Sequence, residues 1–228
     1  MSTTGDSRKL TQEITSNLLS LRTRNVAKKG LQAKKGICIG NGLSRESFDL
    51  NLLKDKATIA GCNFLYLDFE PDYLITLDVL MNRIIKHMVE RRLKRSWQWV
   101  SRELTKVGNR VLTVEGFPLA NLDEVNGGFN NQSGILAAAF LAEILQVKEL
   151  YLIGIDFFLP VPGRRNDIYA GNGSYSDGIA YCWNTMTERN PDCLFYRVGE
   201  IADQDRDFYQ NKLKGFTYIE DFKDLPIL

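Results

Sequence analysis

Three features of this 228-residue chain predict an α/β fold, a mostly parallel sheet with helices on both faces. Short β-branched or aliphatic runs alternate with helical patterns from Gly36 onward. Those runs are apolar along nearly their whole length, as strands buried on both faces must be. Finally, 44% apolar and 25% charged residues with a net charge of +1 describe a globular chain and exclude fibrous, collagen-like and fully disordered alternatives.

Taken in order, residues 1–35 form a unit of their own. Leu10, Ile14, Leu18 and Leu21 fall on one stripe of an amphipathic helix that would pack on the domain or on a second subunit, and Ala27 to Lys35 connect it onward. Residues 36–228 then make a single domain. Its expected strands are Ile37 to Ile39, Ala57 to Gly61, Tyr73 to Leu77, Arg110 to Val114, Leu150 to Ile153 and Leu194 to Val198. Ser44 to Lys54 and Asn82 to Lys106 read as helices between them; around the second, Leu80, Ile84, Met88, Leu93, Trp97, Val100, Leu104 and Val107 make an apolar stripe. Ser133 to Gln146 is apolar almost all round and so predicts a buried helix. The segment Pro160 to Asn190, rich in Gly, Asn, Asp and Tyr, reads as a long lid loop, a kind that is usually functional or mobile.

The small net charge conceals a segregation. Residues 1–36 hold eight Lys/Arg against Asp6 and Glu13, and residues 80–110 hold Arg83, Lys86, Arg91, Arg92, Lys94, Arg95, Arg102, Lys106 and Arg110 against Glu90 and Glu103. Phosphate neutralisation makes nucleic acid one reading of such segments. The apolar stripe under the second already explains it as a helix with a solvated basic face, or one facing an anion or a membrane surface, and nucleic acid is not the expected partner. The longest apolar stretch, Ile135 to Leu145, is too short for a bilayer and carries Glu143, and the first residues lack a signal peptide's apolar core. No transmembrane segment and a cytoplasmic location are therefore expected. Cys38, Cys62, Cys182 and Cys193, far apart and without a C-x-x-C pair, read as reduced core thiols. A single histidine, His87, excludes a multi-histidine metal site within one chain, so any metal would have oxygen ligands.

In an open parallel sheet, ligands sit outside the carboxyl ends of the strands, near the switch in strand order. After the first strand comes Gly40-Asn41-Gly42-Leu43-Ser44, whose glycines permit a tight turn and close ligand approach, and whose serine can cap the next helix. Arg45 occupies the place of the third glycine of a dinucleotide fingerprint, and no G-x-x-x-x-G-K-[ST] occurs. Asn63 follows the second strand, Asp78 the third, and Gly154 and Asp156 the fifth, while Asn131-Gln132-Ser133-Gly134 opens the buried helix with free amides. Any one of these is an ordinary turn; together they predict a single cleft.

The same segments carry a resemblance. Gly40 to Ser44, Gly61-Cys62-Asn63, Pro71 to Asp78, Gln132-Ser133-Gly134 and Glu149 to Phe157 resemble two related Rossmann-like families. One contains bacterial sialyltransferases that use CMP-sialic acid to decorate lipooligosaccharide; the other contains 6-hydroxymethylpterin pyrophosphokinase-like proteins. The resemblance spans about residues 36–158 and implies a Rossmann-like nucleotide-binding domain over 36–228. Carried over from the sialyltransferases, it implies Gly40, Asn41, Gly42, Ser44, Asn63, Ser133 and Gly134 as nucleotide contacts. It also implies tyrosines that steady the leaving phosphate; Phe158 stands at one such place, which leaves Tyr169 or Tyr175. That family's catalytic histidine lies in the C-terminal half, whereas His87 lies upstream, so a carboxylate, Asp156 or Asp177, would take the acceptor's proton.

The expected function is thus a nucleotide-dependent, sialyltransferase-like glycosyltransferase, with a nucleotide-activated sugar (CMP-sugar-like) as donor, a glycan as acceptor and a homo-oligomer as one possible state. A pyrophosphokinase-like transferase using ATP is the alternative, with Asp78 and Asp156 holding Mg²⁺. A nucleotide- or glycan-binding module without catalysis is the third reading, and for Asp156 hydrogen bonding to ribose or amide competes with a catalytic role.

Overall fold

The computed structural model describes residues 35–76, 81, 83–85, 87, 98–101, 111–113, 133–156, 179–201 and 203–228. Among them are strands β1 (Lys35–Ile39), β2 (Thr58–Cys62), β3 (Tyr73–Thr76), β4 (Gln98–Ser101), β5 (Val111–Thr113), β6 (Glu149–Ile153), β7 (Leu194–Val198) and β8 (Phe216–Ile219). They form one eight-stranded sheet, all parallel, in the order β5-β4-β3-β2-β1-β6-β7-β8. The chain builds outward from β1 to β5, returns to lay β6 on the other side of β1, and continues out to β8. This is a Rossmann-like arrangement whose order switches between β1 and β6, where Ile39 pairs with Gly61 on one side and Ile153 on the other.

Alternation along the strands makes two cores. Cys38, Ala60, Ile75, Leu152 and Phe195 face helices α1 (Ser133–Ala139), α2 (Ile179–Arg189) and α3 (Asp203–Lys212), where Trp183, Met186 and Tyr209 are buried. Ile37, Ile39, Ile59, Leu74, Ile153 and Val198 face the opposite side, covered by short 3-10 turns, by helical residues Met81 and Ile85, and by Leu225 and Ile227 near the C-terminus. α1 runs on as a π-helical turn over Phe140–Ile144 before Gln146, with φ +54°, ends it. No helix among the described residues is long and apolar enough to cross a membrane.

Several sequence expectations need correction. Ser44 to Lys54 is two 3-10 turns, Leu43–Arg45 and Leu50–Leu53, rather than one helix. Asp49 accepts a bond from the Asn51 amide at 3.0 Å and starts a fresh turn, and the three-residue spacing of Leu50 and Leu53 matches the 3-10 period. β4 lies inside the helix expected over Asn82 to Lys106, because Trp99 and Val100 suit a pleated strand and pairing with β3 overrides the helical spacing. Residues 179–189 of the expected lid are α2, anchored in the core by Cys182, Trp183 and Met186. The rest of that lid up to residue 178, the N-terminal helix, and Arg91, Arg92, Lys94 and Arg95 lie outside the described residues. The four cysteines are buried and form no disulfide, and burial pushes Cys182 up to about 11 and Cys193 up to about 12, so both stay thiols.

The C-terminal turn Phe222–Asp224 is held by Phe222 stacked on Phe48, centroids 4.3 Å apart. Replacing Phe222 by leucine is expected to cost about 0.5–1.5 kcal/mol in urea denaturation, the contribution of one aromatic pair. An unchanged midpoint would mean that the tail lies on the core without stabilising it.

Candidate functional site

The strand order switches between β1 and β6, and most of the expected site residues gather at the carboxyl ends of these strands. Past the end of β1 the chain stays paired with the β6 side: the Gly40 amide donates to Ile153 O at 2.8 Å and the Gly42 amide to Gly154 O at 2.7 Å. Gly42 sits at φ −69°, a conformation open to any residue. Its glycine requirement is one of space inside the protein, since a Cβ there would lie 2.3 Å from Asp156 Oδ2 and 2.7 Å from Gly154 O. At Gly40 a Cβ would lie 2.3 Å from Gly154 O. Both glycines let the loops after β1 and β6 interlock. Gly154 itself has φ +63°, the left-handed region that favours glycine.

Asp156 ties the loops together. Its Oδ2 accepts the Ser44 amide at 2.8 Å, and its Oδ1 accepts Ser44 Oγ at 2.5 Å and Arg197 Nη2 at 3.1 Å. Both charged side chains are 1% exposed. A second buried arginine, Arg45, donates Nε to Gly40 O at 2.7 Å and pairs with Asp68 at 3.1 Å, fixing the loop from its other side. Asn63, at φ +50° just beyond β2, accepts Ser133 Oγ at 2.9 Å, which joins the start of α1 to the second strand end. The Cys38 thiol donates to Gly134 O at 3.5 Å; burial, then the neighbouring Cys62, holds it well above its usual range, so it is a donor and no nucleophile.

The structure thus brings together Gly40, Asn41, Gly42, Ser44, Asn63, Ser133, Gly134 and Asp156. Asp78, Tyr169, Tyr175 and Asp177 lie outside the described residues, and His87 is an exposed helical residue. Asp156 does not fit Mg²⁺, because a guanidinium and two Ser44 donors already occupy its oxygens. One polar atom in the loop stands out: Asn41 is 8% exposed, yet its carboxamide oxygen has no hydrogen-bond partner among the described residues. Arg197 was not among the sequence candidates. Its signal is a lone cation inside Leu-Phe-Tyr-Arg-Val, a strand apolar enough to be buried, where a charge needs a partner.

No family model and no curated protein matches the chain. Among solved structures, its fold is similar to that of the sialyltransferase CstII from Campylobacter jejuni, determined in complex with a substrate analogue, cytidine-5'-monophosphate. The identity is 18%, the alignment covers 79% of this chain and 84% of that one, and the TM-score is 0.44.

Proposed function

We propose that this chain is a nucleotide-dependent transferase that takes a nucleotide-activated sugar at the switch in strand order and passes the sugar to a glycan acceptor. The observation that carries the reading is the buried Asn41 carboxamide oxygen, which has no donor among the described residues. Leaving such an acceptor unpaired costs about 1–3 kcal/mol, and whatever relieves it must bring an N–H or O–H. Phosphate offers only acceptors, whereas a ribose hydroxyl or a base amine supplies the donor. Phosphate would be met by Ser133 and Gly134, which stand beside Asn63 and the end of β1. In the transfer, the bond between the anomeric carbon and the phosphate oxygen breaks and the nucleotide leaves with the electron pair. The acceptor oxygen bonds to that carbon and its proton passes to a carboxylate. Because both oxygens of Asp156 are engaged, we assign the base to Asp177 and the steadying of the phosphate to Tyr169 or Tyr175.

The test is a thermal-shift series with CMP, UDP, GDP and ATP, each with and without Mg²⁺. CMP is expected to raise the melting temperature without Mg²⁺, since a ligand at a hundred times its Kd adds about 2.7 kcal/mol. Asn41→Ala is expected to melt no lower than wild type when ligand-free, because it removes an unsatisfied acceptor, while weakening CMP binding by about 1–3 kcal/mol. No shift with any nucleotide would sink the proposal. A shift seen only with ATP and Mg²⁺ together would replace it with phosphoryl transfer.

A further inference from the structure

We propose that Arg197 is a positioning residue of this site: through Asp156 it sets the conformation in which the loop Gly40 to Ser44 receives a nucleotide. The proposal rests on the nucleotide reading above. Arg197 stands one residue from the end of β7, and its Nη2 meets Asp156 Oδ1 at 3.1 Å. Its Nη1 donates to the carbonyls of Gly199 and, at 3.0 Å, Glu200, while its guanidinium lies 5.1 Å from the ring centroid of buried Tyr209. Among the described residues Nε has no acceptor, so the two terminal nitrogens and the ring fix the orientation of the plane. Asp156 hands that orientation on, because its two oxygens hold both the amide and the hydroxyl of Ser44.

Three strand ends therefore meet at one serine. From β7, Gly199 at φ +111° brings its backbone so close that a Cβ there would lie 3.2 Å from Ser44 Cβ. A plain strand-to-turn connection needs no buried charge, and a buried ion pair gives little net stability relative to apolar packing. What the pair does supply is a fixed loop geometry before any ligand arrives, which lowers the ordering cost of binding. The planar fork is essential to this, because a lysine in its place would reach Asp156 without holding Gly199 and Glu200 at once.

The decisive variant is the neutral pair Arg197→Met with Asp156→Asn, which leaves no uncompensated buried charge and should fold. In amide hydrogen exchange on the ligand-free protein, Ser44 N–H is expected to exchange about tenfold faster while β8 amides keep their protection, a local effect that loss of global stability would not give. CMP affinity is expected to fall on the order of tenfold, and Arg197→Lys, which keeps the charge and loses the fork, should fall between the pair and wild type. Should the pair not fold, Arg197→Lys carries the same test. Unchanged Ser44 exchange, or faster exchange with unchanged CMP affinity, overturns the positioning role. If the wild-type protein binds none of the four nucleotides, the nucleotide reading fails, and Ser44 exchange alone decides whether Arg197 orders the loop.

Discussion

Replacing Gly42 by alanine is expected to damage the protein almost as much as replacing it by valine. The first carbon of any side chain at this position would lie 2.3 Å from Asp156 Oδ2, 2.4 Å from Asp156 Cγ and 2.7 Å from Gly154 O. Gly154 O is backbone, held by its bond from the Gly42 amide, and Asp156 is held by Ser44 and Arg197, so neither can move away cheaply. Overpacking of this kind costs about 1–3 kcal/mol or more, and here it would separate the loops after β1 and β6. Urea denaturation of the ligand-free variants checks this. If the glycine served only the approach of a ligand, Gly42→Ala would unfold at the wild-type midpoint and lose binding alone.

The larger loss is expected for Asp156→Ala, about 3–5 kcal/mol, because it strands the Arg197 guanidinium at 1% exposure and removes the acceptor of the Ser44 amide. Adding Arg197→Met should recover part of that loss, since the second change removes the uncompensated charge. Such non-additivity is the signature of a directly coupled pair. Asp156→Asn tests the assignment of this carboxylate to holding the loop instead of to proton transfer. A residue acting only as general base would lose turnover at an unchanged unfolding midpoint, whereas a loop-holding residue lowers the midpoint as well.

Much of the sheet was legible because a strand buried on both faces leaves an apolar run that little else explains. Leu194 to Val198 matches β7 at both ends, and Ile37 to Ile39 and Leu150 to Ile153 fall inside β1 and β6. β4 was hidden because its Val100 also continues a helical spacing, and only the neighbouring strand decides between the two patterns. β8 was missed because none of its residues is fully buried, so it carries little apolar signal of its own. At the site, the glycines and Asn63 were visible as turn chemistry at strand ends. The reason for the glycines was not, since it depends on Asp156, 112 residues from Ser44 and adjacent only in space. Arg197 was overlooked for the same reason: its partner is another strand's loop.

The placement of β1 also bears on how the chain folds as it is made. β1 is central, yet its second neighbour, β6, follows only after β2 to β5 have been laid down on the other side. Until then the β1 edge that β6 will cover has unpaired backbone groups, with Ile37 and Ile39 in the same strand, a template on which another chain could pair. The site cannot assemble before β6 docks, and its ion pair must wait longer still, for β7. Closing contacts across more than a hundred residues is slow, so chaperone dependence and aggregation should concentrate in chains stalled or truncated before β6.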